Sequence, residues 1–205
     1  MRKADLVKNH VVLDTAIDRY RGFLEKVINA QRVVASTEEK RDIAESVLIR
    51  LCAYWEFFTD GHLVDCVNKD SSRLSQFFGV SIPANPSKDL CQALLFGEKY
   101  RDFRAFDELK AFTKKILPDN NNPFLAISKR HGFKIDEVYC IRNYLSHYSA
   151  KSKRTLFDMY KKKYKMTRFL EPGQFVLAYN AKNLWEYLAA FQGASADMKG
   201  WYKNT

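Results

Sequence analysis

"STEEKRDIAESVLIRLCAYWEFF", residues 36 to 58, decides the fold class. It opens with Ser36 and, three residues on, Glu39. That is the form of a capping box, in which each side chain satisfies a backbone N–H of the other residue. Behind it Ile43, Val47, Leu51, Tyr54 and Phe58 recur at steps of four and three, and Trp55 widens the stripe. This period gathers them on one side of a long helix. Glu45, Arg50 and Glu56 lie off the stripe. The helix either pauses at Gly61 or runs on through "HLVDCVN".

Upstream, Leu6, His10, Leu13, Ile17, Tyr20, Leu24 and Val27 step by alternating fours and threes. The pattern predicts a first long helix packed lengthwise on the second, as an antiparallel hairpin. His10 falls in this stripe and reads as a core or dimer-seam residue rather than a catalyst. Downstream, residues 70 to 101 read as short helices in an irregular excursion. "DFRAFDELKAFTKKILP" returns to helical spacing and stops at Pro118, and "DNNNP" is a loop. "PFLAISKRHG" reads as a short helix begun by Pro123 and closed by Gly132, which places His131 at a helix end. "IDEVYCIRNYLSHY" is a further helix with Asp136 as its N-cap. "FLEPGQFVLAY" is a loop or a short extended piece. "NAKNLWEYLAAFQ" closes the chain as an amphipathic helix capped near Asn180. No alternating strand pair is evident. The expectation is an all-α helical bundle, one domain over 1–205. It carries an insertion at about 70–101, then a basic segment and C-terminal helix over 151–192.

The chain has 205 residues, 46% of them hydrophobic, with 15 Phe and 11 Tyr against 5 Pro and 8 Gly. That composition supports a buried core and excludes a disordered chain. The formal net charge of +10 points to an anionic partner, most often nucleic acid. Cys52, Cys66, Cys91 and Cys140 are scattered and form no CxxC, so they read as reduced thiols of a cytoplasmic protein. The polar start "MRKADLVKNHVVLD" is not a signal peptide. No apolar run approaches the roughly 20 residues of a membrane span.

The candidate chemistry lies in "IRNYLSHYSAKSKR", residues 141 to 154. At about 100° per residue, Val138, Ile141, Leu145 and Tyr148 cluster as a core face. Arg142, Asn143, Ser146 and His147 then share the opposite arc, with Arg142 and His147 at its edges. From Lys151 to Arg168 eight basic residues face one acid, Asp158. They are Lys151, Lys153, Arg154, Lys161, Lys162, Lys163, Lys165 and Arg168, with Phe157, Tyr160 and Tyr164 interleaved. Cations with aromatics among them suit single-stranded RNA.

"RNYLSH" resembles the R-x(4–6)-H signature of the HEPN superfamily, whose nuclease members often carry a polar residue after the arginine, as Asn143 does here. "AESVLIRLCAYWEFF" (44–58) is similar to the second long helix of RiboL-PSP-like prokaryotic HEPN proteins. Residues 70–101 and 151–178 have no counterpart. The resemblance implies a metal-independent endoribonuclease without cofactors, built at a homodimer interface where two motif helices face each other. It implies a toxin or antiviral defence effector, with a possible cognate antitoxin or inhibitor protein. Cleavage would use the RNA's own 2′-OH and leave a cyclic phosphate. The residue types suit this chemistry. A histidine is the side chain best suited to move protons near neutral pH, so His147 suits general base or acid. Arg142 offers a planar fork to phosphate oxygens. Asn143 suits orienting the histidine or the phosphate.

Other constellations carry less. His62 and Cys66, at i and i+4, lack further ligands at metal spacing. No GxSxG, HExxH, P-loop or GxGxxG occurs. Glu45 with Arg50 reads as a supporting polar pair or as plain helix surface. The competing reading is a non-catalytic RNA-binding or protein-interaction module, including an accessory partner of a nucleotidyltransferase.

Overall fold

The computed structural model describes residues 4–28, 35–97, 103 and 105–203. Residues 29–34, where the connection between the first two helices is expected, and the last residues of the predicted excursion lie outside these. In order come α1 (Lys8–Ile28), α2 (Thr37–Lys69), α3 (Ser72–Phe78), α4 (Lys88–Phe96), α5 (Phe106–Ile116), α6 (Lys129–His147), α7 (Ala150–Tyr164) and α8 (Pro172–Lys203). Two 3-10 turns, Asp119–Asn121 and Pro123–Ala126, join α5 to α6. Among the described residues there is no strand, and the fold is all-α as the periodicity required.

The capping box forms: Ser36 Oγ accepts from the Glu39 amide, and Glu39 accepts from the Ser36 amide. From there α2 runs through Gly61 without a pause, because the stretch beyond it is buried from His62 to Asn68. All seven stripe residues of α1 and its approach are buried. They pack on α2 and α8, so three long helices frame the core and α6 closes it. The excursion is stitched to α2 by polar side chains. Asn68 of α2 donates to the Pro86 carbonyl (2.7 Å), and within the excursion Ser71 donates to that of Pro83 (2.8 Å).

Three boundaries differ from expectation. Pro123–Ala126 is a 3-10 turn, and α6 starts at Lys129 behind Ser128, whose Oγ accepts from the His131 amide. Gly132 therefore sits inside α6 rather than closing a helix. A Cβ there would lie 2.1 Å from the Phe106 ring, so this glycine serves the close approach of α5. His131 is in the first turn, where its Nδ1 meets Asp197 at 2.7 Å. Asp136, mid-helix, accepts from the Phe106 amide (2.7 Å) and so caps α5 instead of α6.

The third difference is at "FLEPGQFVLAY". Pro172 is the first residue of α8, the position where its missing N–H costs nothing. The Gly173 amide is satisfied by Glu45 of α2 at 2.7 Å. The helix breaks at Ala178–Ala181 and resumes to Lys203. Asn180 is thus a residue of the break and not a simple cap.

His10 is a core residue, fully buried and 2.8 Å from Ser195 Oγ. Its ring centroid is 5.0 Å from that of His62, whose Nε2 is hydrogen-bonded to Tyr202. Burial holds His10 down to about 4, helped by the Lys199 charge and opposed by Asp14. Burial, then the His10 charge, takes His62 down to about 3. Both are depressed below the unfolded value of about 6.5. Stability is therefore full above that pH and falls as the pH drops, because only the unfolded chain takes up these protons. The expected loss is about 3 kcal/mol per histidine on approaching pH 4. Urea midpoints at pH 7.5, 6 and 5 check this, and a flat series would contradict it.

Candidate functional site

Helix α6 ends at His147 and α7 begins at Ala150, joined by Tyr148 and Ser149. So short a connection folds the two back into an antiparallel hairpin. Val138, Ile141 and Leu145 are buried as their spacing required. Tyr148 is not part of that face: it is the left-handed C-cap (φ 42°) and 67% exposed. The helical wheel fails there because the helix has already ended. The polar arc is also shorter than expected. One to two turns earlier the same side of α6 carries Ile135 and Tyr139 into the core.

What remains of the arc lines a groove of about 420 Å³ between the end of α6 and the start of α7. Arg142, Asn143 and His147 come from α6; Lys151, Ser152 and Thr155 come from α7. Ser146 is exposed and does not line it. One Arg142 nitrogen donates to Asn143 Oδ1 at 3.2 Å. Another lies 3.7 Å from Glu56 of α2. The two stretches that carry the family resemblance thus meet at Arg142 and Glu56. His147 is exposed at the groove's end. Ser149 caps α7 and its first turn holds no acid. The positive end of the α7 dipole therefore lies beside the arginine and histidine, a setting that favours a bound phosphate.

The supporting pair expected from sequence does not form. Glu45 clamps α8, and its carboxyl is raised by burial, while the Gly173 amide opposes that shift. Arg50 is exposed, with no ion pair among the described residues. The partner that steadies Arg142 is Glu56, visible in the sequence only as a polar residue off the α2 stripe.

Along α7 the cations divide. Lys151, Arg154, Lys162 and Lys165 are exposed and carry no ion pair among the described residues. Lys161 pairs with Asp158 (2.6 Å), and Lys153 lies 3.7 Å from Glu171 and over the Phe169 ring. Lys163 turns inward to Glu137 at 3.0 Å. The interleaved aromatics are packing rather than platforms. Tyr160 is fully buried against Phe175, with ring centroids 4.2 Å apart, and Phe157 and Tyr164 are half-buried.

A buried network behind the site escaped the sequence reading. Glu137 of α6, 4% exposed, accepts from Tyr164 (2.5 Å), Tyr187 (3.1 Å) and Lys163. Lys134 donates to Tyr164 at 2.9 Å and pairs with Glu186. Burial lowers the Lys134 affinity for its proton, but these bonds and the Glu137 charge outweigh it and the net shift is upward. The network locks α7 and α8 onto α6. Its signal was available: on the helical wheel Glu137 falls on the core side of α6, where an unpaired carboxylate is not tolerated.

Among the described residues no group of His, Cys, Asp and Glu is placed to hold a metal ion, and no helix is long and apolar enough to cross a membrane. His62, with Cys66 beside it, is instead occupied by Tyr202. No family model, no curated protein and no solved structure matches the chain.

Proposed function

We propose that this protein is a metal-independent endoribonuclease of HEPN type that works at the α6–α7 groove. The observation that carries the reading is the convergence of Arg142, Asn143, His147 and the amide end of α7 on one open groove. Each part has a role in 2′-OH attack on the adjacent phosphate. His147 moves the proton, since an exposed imidazole can exchange it with bulk water. Arg142, held by Asn143 and Glu56, meets the phosphorane charge. Lys151 and the α7 amides hold the flanking phosphate. The groove supplies one set of these groups. In a homodimer with the two α6 ends facing, the second His147 serves as the complementary acid. As a toxin or defence effector it acts in the cytoplasm under an inhibitor protein.

End-labelled RNA incubated with the protein in excess EDTA tests the activity. Fragments ending in 2′,3′-cyclic phosphate are expected; no cleavage, or cleavage that chelation stops, would contradict it. One observation favours a second reading. Arg142 is already engaged by Glu56, as it would be in a non-catalytic RNA-binding or interaction module where it is only a tether. That reading predicts RNA retention without any product.

A further inference from the structure

Two tyrosines bracket α7, and both stand in a conformation that side chains rarely adopt. Tyr148 stands two residues before the helix, with φ 42° and 67% exposure. Tyr179 has φ 53° and 88% exposure. It lines a groove of about 870 Å³ together with Lys165, Arg168 and Lys182, at the far end of α7. Tyr179 begins a run of three left-handed residues, with Asn180 at φ 58° and Ala181 at φ 58°. None of the three is a glycine, so the sequence does not relieve the strain.

The surroundings over-determine the break, as persistent strain requires. Ala181 is buried, and Asn183 donates across the break to the Phe175 carbonyl at 3.4 Å. The effect is that the Tyr179 ring is held out in solvent. Burial does not explain it, since a bulky ring gains nothing by exposure. Around Tyr179 the groove carries exposed Lys165 and Arg168 beside the Lys182–Glu186 pair, and a flat ring next to free cations matches single-stranded RNA, in which every base offers a π-face and every linkage a phosphate. On α7 itself Phe157 and Tyr164 are half-buried and Tyr160 is buried, and Phe133 of α6, 45% exposed, lies under Lys163. The Tyr148 ring packs beside Tyr144 (centroids 5.3 Å) with the acids Asp42, Glu45 and Glu171 around it, so Tyr179 at the other end of α7 is the ring left for a base.

Between them α7 spans about 22 Å. Its outer face carries Lys151, Arg154 and Lys162, with Lys165 at the end. We infer that Tyr179 is a stacking post at the far end of an RNA track along α7. The track feeds several nucleotides to the Arg142–His147 groove. This rests on the RNA reading of that groove and extends it to a second contact at the opposite end of the hairpin.

The test uses the full chain and a fluorescent 12-nucleotide oligouridylate with 2′-O-methyl groups, which cannot be cleaved through the 2′-OH. Anisotropy titration should show Tyr179→Ala binding about tenfold more weakly, with Tyr179→Phe within about twofold of wild type. Removing a ring removes no charge, so the slope of log Kd against log salt should stay unchanged. Lys165→Ala should flatten that slope. Tyr179→Gly should melt at or above the wild-type temperature while binding as weakly as Tyr179→Ala. Wild-type binding that Tyr179→Ala leaves intact would overturn the post and spare the groove. Absence of any wild-type binding would overturn both.

Discussion

His147→Ala is expected to cut RNA cleavage by about 10²–10⁴-fold, the usual contribution of a positioned acid or base. The thermal midpoint should not move. His147 is exposed and makes no hydrogen bond or ion pair to the described residues, so its loss leaves no buried group unpaired. That separation of activity from stability distinguishes a reacting group from a structural one. Arg142 should behave differently. Arg142→Ala removes the fork and also its ion pair with Glu56, so it costs some stability as well as activity. Arg142→Lys retains the charge without the planar pair of donors and should recover little activity. A fall in melting temperature for His147→Ala, or unchanged cleavage, would contradict the assignment.

The second large effect is on folding. Glu137→Ala should destabilise the protein by about 3 kcal/mol. The carboxylate is buried between Lys134, Lys163, Tyr164 and Tyr187. Removing it takes the shared carboxylate from two cations and two hydroxyls. The cost sits at the low end for a broken buried pair because both lysines keep partial exposure, and Lys134 retains Glu186. Since the network joins α6 to α7 and α8, cleavage should fall too, through loss of the groove's far wall. Urea unfolding checks the magnitude. Glu137→Gln, which keeps the shape and can still accept from the tyrosines, should lie between wild type and Glu137→Ala. Equal stability of all three would show that the network carries nothing.

What the sequence made legible follows a physical division. Local rules worked where one interaction decides. The Ser36–Glu39 box and the α1 stripe needed no tertiary knowledge, and both stand. Rules failed where a residue answered to a distant partner. Gly132 looked like a helix stop but makes room for Phe106. Asp136 looked like a cap for its own helix and caps α5. Pro172 and Gly173 looked like a loop, because the carboxylate that caps the α8 start, Glu45, is 128 positions away. In the site, Arg142, Asn143 and His147 do line one groove. The tether of Arg142 to Glu56 and the inward turn of Lys163 depend on how α2, α6 and α7 pack. The exposed Tyr148 and Tyr179 depend on positive φ angles that composition does not announce.

The central claim is that the α6–α7 groove cleaves RNA through the substrate's own 2′-OH. It is tested most directly with two labelled oligonucleotides of identical sequence in excess EDTA, one all-RNA and one with 2′-deoxyribose at the cleaved position. Wild-type protein should cut the first and leave the second intact at that linkage, with His147→Ala cutting neither. Equal cleavage of both substrates, or of neither by the wild type, would contradict the account.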